Sequence, residues 1–220
     1  MGMSALLTAE NLSFRYGGTP VLQDVTVRAE AGSMLAVTGP NGSGKSTLLH
    51  LLAGVERPSA GHVSRAPKTR VALLPQRTGD IDALPLTVTE CVRIGRFTRR
   101  RLTRTDHTAV RLMMERLEIA HLARRRLREL SGGQRQRTLL AQTFLQEAEV
   151  YVLDEPTAAL DAETRRRVHD LLIETVRDGA AIVVASHDNE ESALASHSLR
   201  LGPGNGGSST DSPVRRAFSR

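Results

Sequence analysis

Short apolar runs punctuate the chain. MLAVT (34–38), VALLP (71–75), VYVLD (150–154) and AAIVVA (180–185) each predict a buried strand, and SLRL (198–201) predicts a final one. Residues 5–38 read as short strands separated by turns at Gly17–Gly18 and Ala31–Gly32. Helical spacing takes over elsewhere. LLHLLAG (48–54) is an apolar helix start. Val110, Met113, Met114 and Leu117 share a face in a helical stretch running from Thr87 to Leu127. Val168, Leu171, Leu172 and Val176 share another on a helix over 162–177, with Gly179 placed to end it as a C-cap. Pro58 and Gly61 mark a short excursion before the strand at 71–75.

Composition narrows the class. No run approaches the ~18 apolar residues of a membrane-spanning helix, and MGMSALLTAE lacks the basic and apolar regions of a signal peptide. Hydrophobic residues at 40% and charged residues at 25% of 220 describe a globular protein, either one large domain or a core with a small subdomain. Cys91 is the single cysteine, which excludes an internal disulfide, fits a reducing compartment and reads as a small buried hydrophobe on a helix. The net charge of +6 rests on arginine, clustered at Arg99–Arg101, Arg124–Arg126 and Arg165–Arg167; Lys45 and Lys68 are the only lysines. Aromatic residues make up 3%, so stacking surfaces for single-stranded nucleic acid are scarce. The clusters read as solvated helix faces.

The strongest chemical signal is GPNGSGKST: Gly39, Pro40, Asn41, Gly42, Ser43, Gly44, Lys45, Ser46 and Thr47. An apolar strand precedes it and an apolar helix follows, which is the context that makes G-x-x-x-x-G-K-S a phosphate loop. Glycines let successive backbone N–H groups curl around phosphates, and the helix dipole adds positive potential. Lys45 is placed to reach the β- and γ-phosphates of a nucleoside triphosphate, and the Ser46 hydroxyl to ligate Mg²⁺. VYVLDE (150–155) supplies the complementary carboxylates. At the end of that strand Asp154 can hold Mg²⁺ and Glu155 is placed to polarise an attacking water, a role worth about 10²–10⁴ in rate.

A third segment, LSGGQRQR (130–137), puts two glycines at a helix start. Ser131 and Gln134 make a capping box. Gly132 and Gly133 have no such explanation, and glycine costs about 1 kcal/mol in a helix interior. Glycines there suit a backbone that must approach an anion closely.

LSGGQ, together with the phosphate loop and the Asp-Glu strand in their order, resembles the ATP-binding cassette (ABC) ATPase family over residues 5–201. The resemblance implies an α/β fold of the P-loop NTPase type: a mostly parallel sheet, an antiparallel N-terminal β subdomain, and an α-helical signature subdomain inserted at about 87–145. Residues 202–220 read as a disordered tail, at a point where many relatives continue with a further strand pair. In that family two subunits pack head to tail, so Ser131 and Gly133 of one would contact the γ-phosphate held by the other, with Gly132 and Gln134 of the same segment lining that nucleotide site. Tyr16, in LSFRYGG, resembles the aromatic that stacks on adenine. Gln76, in LLPQR, resembles the glutamine that senses Mg²⁺ and the attacking water. Asp161, in AALD, resembles the residue of a loop crossing the dimer interface, and also reads as the N-cap of the next helix. His187, in VVASHD, resembles the histidine that contacts the γ-phosphate.

With no membrane span of its own, such a chain would need integral-membrane permease subunits. It would sit in the cytoplasm on the inner face of the membrane, in a complex that includes an extracytoplasmic solute-binding protein. PQRTGDIDALPLTVTECVRIGR (75–96) resembles the branch that imports zinc, manganese and related metals. The seven histidines form no ligand set, and none is needed where the ion bypasses this subunit. Other readings are an importer or exporter of a different solute, or an ATPase acting on ribosomes or nucleic acid. The last has only the basic charge in its favour, and translation-associated relatives usually carry two cassettes, so no nucleic-acid partner is expected.

Overall fold

A computed structural model of the chain describes residues 4–76, 84–96, 102–186, 189–202 and 207–208, without the side chains of 189, 207 and 208. It divides into two compact units, Met1–Leu73 with Ala148–Glu155 and Leu172–Arg220, and Leu74–Glu147 with Pro156–Leu171.

The first unit holds two sheets. β1 (Ala5–Tyr16) and β2 (Thr19–Glu30) form an antiparallel hairpin, and β4 (Ala60–Arg65) pairs with the other side of β1. The short strands expected at the N-terminus are thus two of 12 residues each. Register shifts at Ala9/Leu12 and Leu12/Phe14 break the inward–outward alternation, and Asn11 and Asp24 sit at φ 50° and 51°. Bulges of this kind make one bent strand look like several in sequence. The excursion after Pro58 turns out to be the sheet's third strand.

The larger sheet has the order β5-β6-β7-β3-β8-β9, from β5 (Val71–Leu74), β6 (Val150–Asp154), β7 (Ala181–Ala185), β3 (Met34–Thr38), β8 (His197–Leu201) and β9 (Gly207–Ser208). β6–β7, β7–β3 and β3–β8 are parallel, while β8–β9 is antiparallel. Every residue of β6 and β7 is buried, which explains their unbroken apolar runs. Leu48, Leu49, Leu51 and Leu52 of α1 (Lys45–Ala53) join Leu7 and Leu12 of β1 and Val150 and Val152 of β6 in one core cluster. Each such leucine contributes about 1.5–3 kcal/mol by leaving water.

The second unit is helical: α2 (Val88–Ile94), α3 (Arg104–Arg116), α4 (Gly132–Phe144) and the start of α5 (Ala162–Arg177). The helical stretch expected from Thr87 to Leu127 is broken. Thr103 with Asp106 caps a fresh start at α3, and Glu118 at φ 54° ends its course before 3-10 turns at Ala120–Leu122 and Leu127–Glu129. α5 occupies the expected range, and Gly179, at φ 95°, lies just beyond it in the first unit, donating to the Val176 carbonyl. Cys91 is buried in α2, where burial pushes its thiol up to about 11. The Arg165–Arg167 cluster is engaged within the chain: Arg165 reaches the Leu160 carbonyl, Arg166 that of Ala162, and Arg167 the Glu163 and Glu118 carboxylates. Arg99–Arg101 lie outside the described residues.

α2 and α4 approach closely because Gly95, at the end of α2, has no side chain. A Cβ there would collide with the Gln142 carbonyl of α4, although the Gly95 φ of −58° suits any residue. Gly95→Ala is therefore expected to destabilise by about 1–3 kcal/mol, roughly 2–12 °C in Tm. Thermal unfolding checks this; an unchanged Tm would mean that the helices separate without cost.

Candidate functional site

α2, α3 and α4 each begin with a capping box, but α1 does not. Its N-cap is Gly44, in the left-handed region at φ 93°, with no side-chain cap and no acid in the first turn. The leading N–H groups of α1 are thus left to an external anion. Packing fixes the loop before it. A Cβ on Gly39 would stand 2.5 Å from the Leu201 carbonyl, and one on Gly44 would stand 2.8 Å from Leu22 Cδ2. Lys45 is buried, and its ammonium donates to the Gly39 and Pro40 carbonyls at 2.9 and 3.1 Å, so it crosses the mouth of the loop. The buried Ser43 hydroxyl has no partner among the described residues. Asn41 and Gly42 are exposed.

β6 ends at Asp154, whose side chain is buried at 2% exposure. Burial pushes its carboxyl above the usual range, the Ser46 hydroxyl opposes this by hydrogen bonding, Glu155 raises it further, and His50 and Lys45 lower it. Oδ2 of Asp154 is buried with no partner among the described residues. A hard cation fits that arrangement, because an unpaired carboxylate oxygen and a serine hydroxyl are donors it favours. Glu155 follows directly with φ 48°, an unfavourable conformation for a residue with a Cβ. Its N–H is held by the Ala185 carbonyl at 2.9 Å, at the end of β7. The parallel sheet therefore gathers the phosphate loop after β3 and both carboxylates after β6 on one edge, where sites form in such folds.

Tyr16 closes the β1–β2 hairpin opposite Thr19, half exposed, with Phe14 edge-on at a centroid distance of 4.7 Å. Val21 and Leu22 of the same hairpin pack against Gly44, which brings the Tyr16 end of the sheet beside the phosphate loop. His187 lies outside the described residues.

The remaining candidates belong to the second unit. Gln76 is exposed two residues beyond β5. Both Asp161 oxygens cap α5, accepting from the Thr164 N–H and hydroxyl at 2.9 Å, which holds its carboxyl below the usual range. Ser131 and Gln134 form the expected capping box, with Gln134 N–H to Ser131 Oγ at 3.3 Å and Ser131 N–H to Gln134 Oε1 at 3.1 Å. The two glycines differ. A Cβ on Gly133 would stand 2.9 Å from the Ala159 carbonyl, whereas one on Gly132 would meet nothing within 4 Å. Nothing described within the chain requires a glycine at 132. Sequence reasoning missed Gln136, whose amide donates to the Pro156 carbonyl at 3.0 Å; its position in a helical run carries no signal of that contact.

The family described as ABC transporter matches residues 22–158. The zinc import ATP-binding protein ZnuC of Cereibacter sphaeroides is 40% identical over 185 residues, covering 83% of this chain and 73% of its own length. The manganese transport system ATP-binding protein MntB of Bacillus subtilis is 33% identical over 190 residues, covering 81% and 76%. Among solved structures, a metal-chelate type ABC transporter in an inward-facing conformation superposes with a TM-score of 0.76 at 33% identity, covering 90% of this chain and 80% of that one.

The Asp154 environment sets a pH dependence. Because burial raises its carboxyl, the native state holds this proton to higher pH than the unfolded chain does. Its contribution to stability therefore falls as pH climbs from the ordinary aspartate range through the raised value, and stays low above it. Asp154→Asn keeps the acceptor for Ser46 and removes the charge. Its Tm should exceed that of the wild type at neutral pH, with the gain shrinking toward about pH 4. Thermal melts across pH test this; a variant less stable at neutral pH would contradict it.

Proposed function

Because the chain belongs to the ABC transporter family and is an ATP-hydrolysing subunit of such a system, we propose that it powers import of a divalent metal ion, zinc or manganese, through separate permease subunits. The relatives named for zinc and manganese transport support this choice of solute. Among the described residues no helix is long and apolar enough to cross a membrane. On this reading an integral-membrane permease carries the pathway, this chain docks on it at the inner face, and a solute-binding protein delivers the ion outside.

The observation that carries the site assignment is the Ser46–Asp154 pair at the foot of an uncapped helix. ATP phosphates lie along the backbone of Gly39, Pro40, Asn41, Gly42, Ser43 and Gly44 and the first turn of α1, with Lys45 and Thr47 completing the cradle. Lys45 exchanges its two carbonyl partners for β- and γ-phosphate oxygens. Tyr16 stacks on the adenine. Ser46 and the free oxygen of Asp154 are the residues to hold Mg²⁺, joined by Gln76. When bound, the ion neutralises charge on the phosphates. Glu155 orients the attacking water and accepts its proton on the side-chain carboxylate, and His187 contacts the γ-phosphate. The strained Glu155 backbone, pinned by Ala185, fixes the point from which that side chain sets out.

The site is completed by a second copy, head to tail. Gly132 supports this reading: it lacks a side chain where the chain itself leaves room for one, as expected if the close approach comes from outside. Ser131, Gly132, Gly133 and Gln134 would then meet the partner's γ-phosphate, with the loop at Asp161 crossing the interface. ATP closes this dimer and hydrolysis loosens it, so the product is motion passed to the permease.

Glu155→Gln, purified from native cells with MgATP, should arrive as a dimer bound to a polytopic membrane protein. The wild-type complex should show ATPase activity stimulated by a zinc- or manganese-loaded binding protein. Stimulation by another solute would remove the metal assignment. Ribosomal proteins or nucleic acid retained at high salt would remove transport as this chain's task.

A further inference from the structure

Within the second unit, α4 is fastened to the segment that follows Glu155 in the chain. Pro156 is buried, and its carbonyl needs a donor; the Gln136 amide supplies one at 3.0 Å. Nearer the start of α4, Gly133 permits the Ala159 carbonyl to approach to where a Cβ would stand 2.9 Å away. A third tie follows from the next residue along. Arg137 donates to the Leu117 and Glu118 carbonyls and faces the Glu118 carboxylate at 3.8 Å, and that carboxylate takes Arg167 of α5 at 2.8 Å.

The Pro156 carbonyl is an effective handle. The proline ring fixes φ, so the direction of the carbonyl fixes ψ, the one soft dihedral left at that residue. Holding it therefore sets the path by which the chain continues past Pro156, the residue bonded directly to Glu155. Building on the head-to-tail reading, we infer that Gln136 is a positioning residue that couples the two nucleotide sites of the dimer. The start of α4 serves the nucleotide of the partner. The same helix, through Gln136, governs the chain next to the carboxylate that serves its own nucleotide. Closure at one site thereby tightens the other.

The test uses the full chain with two substitutions of similar length. Gln136→Met removes the donor and Gln136→Lys keeps one. The Met variant should bind MgATP within about twofold of wild type and melt within a few degrees of it. Its kcat should fall about tenfold, with the Hill coefficient for ATP dropping toward one, while the Lys variant recovers most of the rate. Should the Met variant fail to fold, isosteric Gln136→Glu repeats the test by placing a repelling carboxylate against the Pro156 carbonyl. A Met variant that turns over at the wild-type rate, or a Lys variant no better than Met, overturns the coupling and leaves the dimer intact. Failure of Glu155→Gln to dimerise with MgATP, measured alongside, would instead overturn the head-to-tail reading and the coupling with it.

Discussion

The rest of the site depends on one buried charge. β6 is apolar and enclosed until its last residue, where Asp154 carries a carboxylate at 2% exposure against the Ser46 hydroxyl. A buried anion is costly unless something cationic answers it. The surrounding choices follow from that cost. Lys45 reaches inward, the first turn of α1 is free of acids, and the helix start is left uncapped. The sheet order β6-β7-β3 fixes the separation, since a single parallel strand stands between the carboxylate and the phosphate loop. Stability is given up locally for a polar arrangement that suits a nucleoside triphosphate with its cation.

The chain uses helix starts in two ways. At α1, glycines and the lack of a cap leave the N–H groups to a ligand. At α4, Ser131 and Gln134 complete a capping box, so the helix is self-sufficient, and yet Gly132 keeps its outer side clear. The first start suits a ligand held by its own chain, and the second suits one presented by another chain. Gly133 has a different cause, the nearby Ala159 carbonyl, so two adjacent glycines are retained for two separate reasons. The net positive charge belongs partly to architecture: Arg167 bridges Glu163 and Glu118, and Arg126 with Glu129 caps a 3-10 turn.

What the sequence made legible was whatever rests on local pattern. The strands at 34–38, 150–154 and 181–185 were readable because burial on both faces leaves almost unbroken apolar runs, with Thr38 and Asp154 only at strand ends. The glycine-rich loop before α1 was readable because it joins an apolar strand to an apolar helix and packing leaves no room for a Cβ at Gly39 or Gly44. The N-terminal strands were underestimated, since bulges near Asn11 interrupt the period of two. The helical stretch from Thr87 to Leu127 was overestimated, because a left-handed Glu118 stops α3 without any glycine or proline to announce it. Gly95 and Gln136 were illegible for a common reason: each matters through one long-range carbonyl, of Gln142 and of Pro156, which no local pattern encodes.

The central claim is that the α4 start of one subunit acts on the nucleotide of the other. Mixing two inactive chains tests it most directly, one carrying Lys45→Ala and the other Ser131→Arg, with single-turnover ATP hydrolysis as the readout. The head-to-tail account predicts that the mixture regains hydrolysis: a mixed dimer pairs the intact phosphate loop of one chain with the intact signature of the other. A mixture as inactive as its components would contradict the account, because it would mean that both segments must be intact in the same chain.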